Sequence, residues 1–328
     1  MVKSWLRSVL YRSGVLGLVH RLRNRRTLTV LMFHRVLPAS STEFERAERE
    51  FTFSVPGFAR CLDFFQRHYN LISIDELRAA LEQGGALPDR AAMITFDDGW
   101  RDTLVYAVPE LRRRQMRGLM FLSTETVELA TTRWWQDMLV EVLASPQQAE
   151  VFLARLGLDR SDLAGPNQAR RVTAVLGELP EQQRHELLDQ LVSPTARERQ
   201  MISQEDLTTL KNLMDVGGHG HTHVPLSESR FQETELANCR KCLIENDVAA
   251  DVMSFPHGAY DDEVVHQARA CGFKFLFSSD PVLINTAEIL PEKQLFGRIH
   301  VPENQWTCDE TGISFPKLAS FLFFRRHA

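Results

Sequence analysis

No stretch of this sequence approaches the about 20 apolar residues that a membrane-spanning helix needs. Cysteine is scarce. The five residues Cys61, Cys239, Cys242, Cys271 and Cys308 are an odd number, too sparse over 328 residues for a disulfide scaffold, so a reducing compartment is the simpler setting. Cys239 and Cys242 form a C-x-x-C, but no second pair accompanies it, and its charged, helical surroundings point to structural thiols rather than a zinc knuckle or redox centre. There is no surplus of positive charge either: the net charge of −5 argues against a general nucleic-acid binder.

Residues 1 to 26 lack any acid, while carrying Lys3, Arg7, Arg12, Arg21, Arg23, Arg25 and Arg26. They also lack the features of a signal peptide, because polar residues and glycines interrupt every apolar run and there is no Ala-x-Ala cleavage site. A cytoplasmic setting is therefore expected. A basic segment with apolar residues at near-helical spacing has two readings: a helix lying on an anionic membrane surface, peripheral on the inner membrane, or a solvated helix capping the domain. The tail Phe321-Leu322-Phe323-Phe324-Arg325-Arg326 repeats the apolar-then-basic character.

What is present is a chain 44% apolar and 25% charged, enough to bury a large core. Short β-rich runs (28–34, 92–97, 119–123, 252–255, 273–278 and 296–301) alternate with helical patterns (55–68, 74–83, 102–114, 205–214, 231–246 and 262–271). Ser73-x-x-Glu76 reads as a capping box, and Ser203-x-x-Asp206 as a weaker one. Alternating β and α elements predict a parallel sheet, open or closed into a barrel. Residues 126–202 break the rhythm, being helical, charged and strand-poor, with loop signals at Leu156-Gly157-Leu158 and Gly165-Pro166-Asn167. This region reads as an insertion within a domain spanning 27–328, with Trp134-Trp135-Gln136-Asp137 returning to the site.

Two segments carry the chemistry. Met93-Ile94-Thr95-Phe96-Asp97-Asp98-Gly99-Trp100 looks like a buried strand that stops at two adjacent carboxylates. Successive strand residues face opposite sides, so both acids reach one pocket only if the backbone turns at once, and Gly99 supplies that freedom. Mutual repulsion favours a cation on one carboxylate and leaves the other as a base or acceptor. By itself the segment reads more readily as a solvated Asp-Asp-Gly turn. The second segment, Val216 to Pro225, places His219, His221 and His223 within five residues. Its glycines and Pro225 disfavour a regular helix, so it reads as a strand-end loop in which His219 and His223 converge while His221 points elsewhere. Two imidazoles and a carboxylate are a common set for a catalytic divalent metal.

Thr95-Phe96-Asp97-Asp98-Gly99 and His219-Gly220-His221-Thr222-His223 resemble the first two motifs of the NodB-type polysaccharide deacetylases, carbohydrate esterase family 4. Ser254-Phe255-Pro256-His257-Gly258-Ala259-Tyr260-Asp261 is similar to that family's Pro-aromatic-Gly loop, and Leu31-Met32-Phe33-His34-Arg35-Val36 to the aromatic-His-x-Val strand of its circularly permuted branch. The resemblance covers residues 28 to 301 apart from the insertion. It implies a distorted (β/α) barrel with a helical insertion, acting as a metal-dependent hydrolase on the linear amide C–N bond of N-acetylhexosamine units in polysaccharide biosynthesis. Carried over by motif, Asp98, His219 and His223 would hold the metal, zinc first, with cobalt, manganese, iron or nickel as alternatives. Asp97 would be the general base and the backbone N–H of His257 an oxyanion donor. Where the third motif usually has an arginine to orient the base, this chain has Ser254, so Arg298 is the candidate replacement. His34 ranks first as general acid and His300 second. Trp100, Trp135, Pro256 and Tyr260 are the candidate sugar contacts. An N-acetylated glycan is the expected partner. Hydrolysis of another amide or ester, such as a cyclic amide, and a non-catalytic carbohydrate-binding relative are the competing readings.

Overall fold

The computed structural model describes residues 4–128, 133–163, 170–192, 199–289, 294–308 and 312–327. Lys3 and the Gly165-Pro166-Asn167 segment lie outside them, as does the side chain of Cys308. Two short helices, α1 (Ser4–Arg12) and α2 (Val15–Arg23), precede the first strand. The main strands are β1 (Thr27–Phe33), β2 (Ala91–Phe96), β3 (Leu119–Leu122), β4 (Asp215–Gly218), β5 (Val252–Ser254), β6 (Phe275–Phe277), β7 (Leu295–Phe296) and β8 (Ile299–His300).

In the sheet, β1 to β6 are neighbours in chain order, β7 follows β6, and β8 pairs back on β1. The sheet thereby closes nearly into a barrel. β1 runs parallel to both β2 and β8, with Met32 opposite Thr95 on one side and His300 on the other. Every residue of β1 and β2 is buried, as their sequences, apolar except for Thr27, Thr29 and Thr95, suit in strands covered on both faces. Helix Val55–His68 follows from its sequence. Ser54 caps it by accepting from Gly57 N, Pro56 pre-sets its first turn, and Phe58, Cys61, Leu62 and Phe65 form its buried stripe. The Phe58 ring meets Phe33 of β1 edge-on at 5.4 Å. Both capping boxes are formed, at Ser73–Glu76 and at Ser203–Asp206.

Four elements differ from the sequence reading. Gly217 and Gly218 belong to strand β4 rather than to a loop. A Cβ on Gly217 would stand 2.7 Å from the Val252 carbonyl oxygen, so the glycine is there for close strand approach, which propensity cannot reveal. The run 296–301 is broken into β7 and β8 around Gly297-Arg298. The helix expected over 205–214 ends at Leu210, and the one over 102–114 opens with a π-helical turn, Thr103–Ala107.

By internal contacts the chain divides into two units. Residues 1–120, 209–216 and 277–328 form one, carrying α1, α2, β1, β2 and the C-terminal helix Phe315–Leu322. The other, residues 121–208 and 217–276, holds helices Trp135–Ala144, Pro146–Arg155, Arg170–Gly177 and Glu181–Asp189, packed through Met138, Leu139, Phe152, Val172 and Leu188. Cys239 and Cys242 lie on the buried side of helix Gln232–Glu245, and burial pushes the Cys242 thiol up to about 11. No helix of the described residues is long and apolar enough to cross a membrane.

Two histidines near the N-terminus make stability pH-dependent. His20 stacks on Phe323 at 4.0 Å and has Asn24 Nδ2 at 2.9 Å from its Nδ1, while His68 Nε2 meets the Tyr11 hydroxyl at 3.0 Å. Burial pushes His20 down to about 3 and His68 down to about 4, against 6.5 in the unfolded chain. The unfolded state therefore takes up protons that the folded state refuses, and stability falls as pH drops below 6.5. His20, which is 1% exposed, contributes a slope of at most about 1.4 kcal/mol per pH unit. Urea unfolding at pH 7 and pH 5 checks this, with a flatter slope expected for His20→Asn with His68→Asn; an unchanged slope would assign the dependence to other groups.

Candidate functional site

β1 and β2 end in register, with Asp97 N donating to Phe33 O, so His34 and Asp97 each stand one residue beyond a strand end. The chain turns at once there, since Asp98 itself adopts φ 75° and Gly99 φ 93°. Aspartate is among the few residues besides glycine that tolerate the left-handed region. The turn thus begins one residue earlier than Gly99 alone would allow and sends the two carboxylates to different partners.

Asp97 is gripped by Arg298. The guanidinium places Nη1 at 2.5 Å from Oδ1 and Nη2 at 2.8 Å from Oδ2, and its Nε donates to Ser278 O at 3.0 Å. Both residues are buried, so the pair is strongly directional, and removing either partner would leave a charge without compensation. The break between β7 and β8 is what gives Arg298 to this pair. Asp98 accepts from the Trp100 indole N–H at 2.9 Å. The Arg35 guanidinium lies 3.9 Å over the Trp100 ring and donates to Asp102 at 2.8 Å, so Trp100 and Asp98 are held by a chain of buried contacts. Arg35 stood in a quoted motif without a role, and nothing in the sequence singled out Asp102.

His34 and His300 lie edge to face with ring centroids 5.6 Å apart, and Phe51 stacks on His300 at 5.3 Å. The buried Nδ1 of His34 has no hydrogen-bond partner among the described residues. Burial pushes His300 down to about 4, a shift that the nearby His34 reinforces and Asp97 opposes.

His219 follows β4 directly. Its Nδ1 meets Ser254 Oγ at 2.7 Å and Ser254 O at 3.1 Å, which fixes the ring and leaves Nε2 as the candidate ligand atom. Ser254 therefore orients the His219 ring. His221 turns to Thr124 Oγ1 at 3.0 Å. His223 adopts φ 64° and His257 φ 56°, both left-handed. Each strained carbonyl receives a donor from the helical insertion: Gln136 Nε2 reaches His223 O at 2.8 Å, and Arg170 Nη2 reaches His257 O at 2.6 Å. The Trp134 ring meets His223 edge-on at 5.0 Å.

Among the described residues, Asp98, His219 and His223 form the group suited to a metal ion: all three are buried, and their candidate ligand atoms lie within 4.8 Å of one another. Two imidazole nitrogens and one carboxylate oxygen, with one imidazole already oriented by its other nitrogen, fit a catalytic divalent site. The candidate sugar contacts fare unevenly. Trp135 is fully buried with Arg184 4.8 Å over its ring, Trp100 is covered by Arg35, and Pro256 is buried. None of these three offers a free face, whereas Tyr260 is half-buried, stacked on Phe255 at 4.8 Å.

Neither a family model nor a protein of curated function matches the sequence. Solved structures do match the fold. The chain is similar to the deacetylase PplD of Streptococcus pyogenes in complex with acetate, at 15% identity and a TM-score of 0.56, over 85% of this chain and 94% of that one. It is similar to IcaB from Ammonifex degensii at 18% identity and a TM-score of 0.54, over 91% and 97% of the two chains. A de-N-acetylase from Aggregatibacter actinomycetemcomitans aligns at 13% identity and a TM-score of 0.58, over 89% of this chain and 99% of the other. The chain has the fold of the polysaccharide deacetylases, a nearly closed barrel-like parallel sheet wrapped in helices.

Proposed function

We propose that this protein is a metal-dependent deacetylase that removes N-acetyl groups from N-acetylhexosamine units of a glycan. The observation that carries the reading is the buried Asp98, His219 and His223 group, adjacent in sequence to a carboxylate held by a buried arginine. The fold shared with deacetylases supports it.

An amide is a weak electrophile with a poor leaving group, so its hydrolysis needs an activated water, a polarised carbonyl and a proton for the departing amine. A divalent ion held by Asp98, His219 and His223, zinc first, would polarise the acetyl oxygen and acidify water. Asp97 takes the water's proton, and Arg298 holds its carboxylate in place through two hydrogen bonds. The backbone N–H of His257 supports the developing oxyanion. His34 then protonates the amine nitrogen as acetate leaves. His34 is preferred over His300 because a histidine titrating at about 4 carries no proton to give near neutral pH. Tyr260 is the ring best placed to border the sugar, as the half-buried member of the candidates.

Acetate release from N-acetylated saccharides, free and lipid-linked, tests the proposal on metal-reconstituted protein. Release that stops on chelation and returns with metal is expected; a protein that loads metal yet releases no acetate from any of them would overturn it. Gln136→Ala is expected to weaken metal binding about 10-fold, because it removes the closer of the two partners of the His223 carbonyl, leaving His257 Nε2 at 3.2 Å, without removing a ligand. Titration against a chromophoric chelator measures that loss, and an unchanged affinity would show that His223 holds its conformation without Gln136.

A further inference from the structure

α1 and α2 each have two apolar sides. Leu6, Leu10, Tyr11, Leu16 and Val19 turn partly or wholly inward, with Tyr11 meeting His68 and Phe315 edge-on. That side is enough to dock the helices. Yet Trp5 is 64% exposed, Leu18 57% and Leu22 74%, with Val9 and Val15 also outward. Trp5, Val9 and Arg12 follow at spacings of four and three residues, and Val15, Leu18 and Leu22 at three and four, so each set occupies one helix face. Five of the eleven exposed large apolar side chains among the described residues fall on these two helices, and Phe324 extends the set. It is brought close because Arg23 donates to Phe323 O and Arg325 O. A helix that merely capped the domain would present polar residues to water.

The two helices themselves carry charge of one sign, while Arg25, beyond α2, pairs with the exposed Asp89 at 3.0 Å. Arg12, Arg21 and Arg26 are exposed, and no acidic residue occurs in the sequence before Glu43. Outward apolar side chains on helices whose charged residues are all arginines match an anionic lipid surface, in which the rings and aliphatic chains enter the acyl boundary and the guanidiniums stay among the phosphates. A second copy of the chain is a poorer partner, since a symmetric contact would set these arginines against their own equivalents with no acid among them. We infer that α1, α2 and the segment around Phe324 form a docking surface for the anionic face of a lipid bilayer, independent of the deacetylase reading.

Sedimentation of the full chain with vesicles tests this. Binding is expected to vesicles containing about 30% phosphatidylglycerol and to weaken in high salt, with little binding to phosphatidylcholine alone. The triple variant Trp5→Ser, Leu18→Ser, Leu22→Ser should lose at least about tenfold in apparent vesicle affinity, and Arg12→Glu with Arg21→Glu a comparable factor. An unchanged unfolding midpoint would show that these exposed sites do not affect the fold. Absence of vesicle binding, equal binding to both lipid compositions, or binding that survives the triple substitution would overturn the inference. So would a dimer of the unaltered chain that the triple variant abolishes, because the surface would then belong to a second copy.

Discussion

Replacing Asp97 by Asn is expected to abolish acetate release while leaving the metal bound. Asparagine keeps the shape of the side chain and one acceptor for Arg298, but it cannot take a proton from water. The lost general-base contribution is about 10²- to 10⁴-fold in kcat. Stability should fall as well, because Arg298 is buried and would keep its charge without a counter-charge, a situation that costs about 3–5 kcal/mol. These two effects separate in the double variant Asp97→Asn with Arg298→Met, which removes the stranded charge. Its unfolding midpoint should recover towards that of the unaltered protein while turnover stays lost. If acetate release persisted in Asp97→Asn at normal rates, the base would have to be sought elsewhere.

His219→Ala carries the second large effect, expected on metal affinity itself. Removing a ligand should lower affinity by more than the about 10- to 100-fold that follows from loss of an outer partner such as Ser254, whose hydroxyl orients the His219 ring. The expected order of metal affinity is therefore unaltered protein, then Ser254→Ala, then His219→Ala, read by calorimetric titration with Zn²⁺ on the apoprotein. Acetate release should follow the same order at limiting metal, and high metal should rescue Ser254→Ala more readily than His219→Ala. Equal affinity in all three would remove His219 from the ligand set and leave Ser254 as an ordinary packing residue.

Much of the fold was legible because the buried strands declare themselves. Leu28 to Phe33 and Ala92 to Phe96 are apolar except for one threonine each, which suits strands covered on both faces. β4 was hidden because its two glycines score as loop, although close approach to Val252 is their reason for being in a strand. The helical insertion was visible as an absence of strands. Its contacts with the carbonyls of His223 and His257 were not, because a hydrogen bond between Gln136 and a residue 87 positions away leaves no local pattern.

The candidate site divides in the same way. By itself the sequence determined which side chains can do chemistry: paired carboxylates beside a glycine, three histidines in five residues, and a histidine beyond the first strand. Residue type and local spacing suffice for that. Only the tertiary structure decided how they are shared out. It brought the candidate ligand atoms of Asp98, His219 and His223 within 4.8 Å of one another, gave Asp97 to Arg298 across 201 positions of sequence, and turned Ser254 towards His219. It also closed Trp135 into the core. Partners and burial are set by where strand ends and helices meet in space, through contacts between residues far apart in the chain, and no local pattern of residue types encodes those distances.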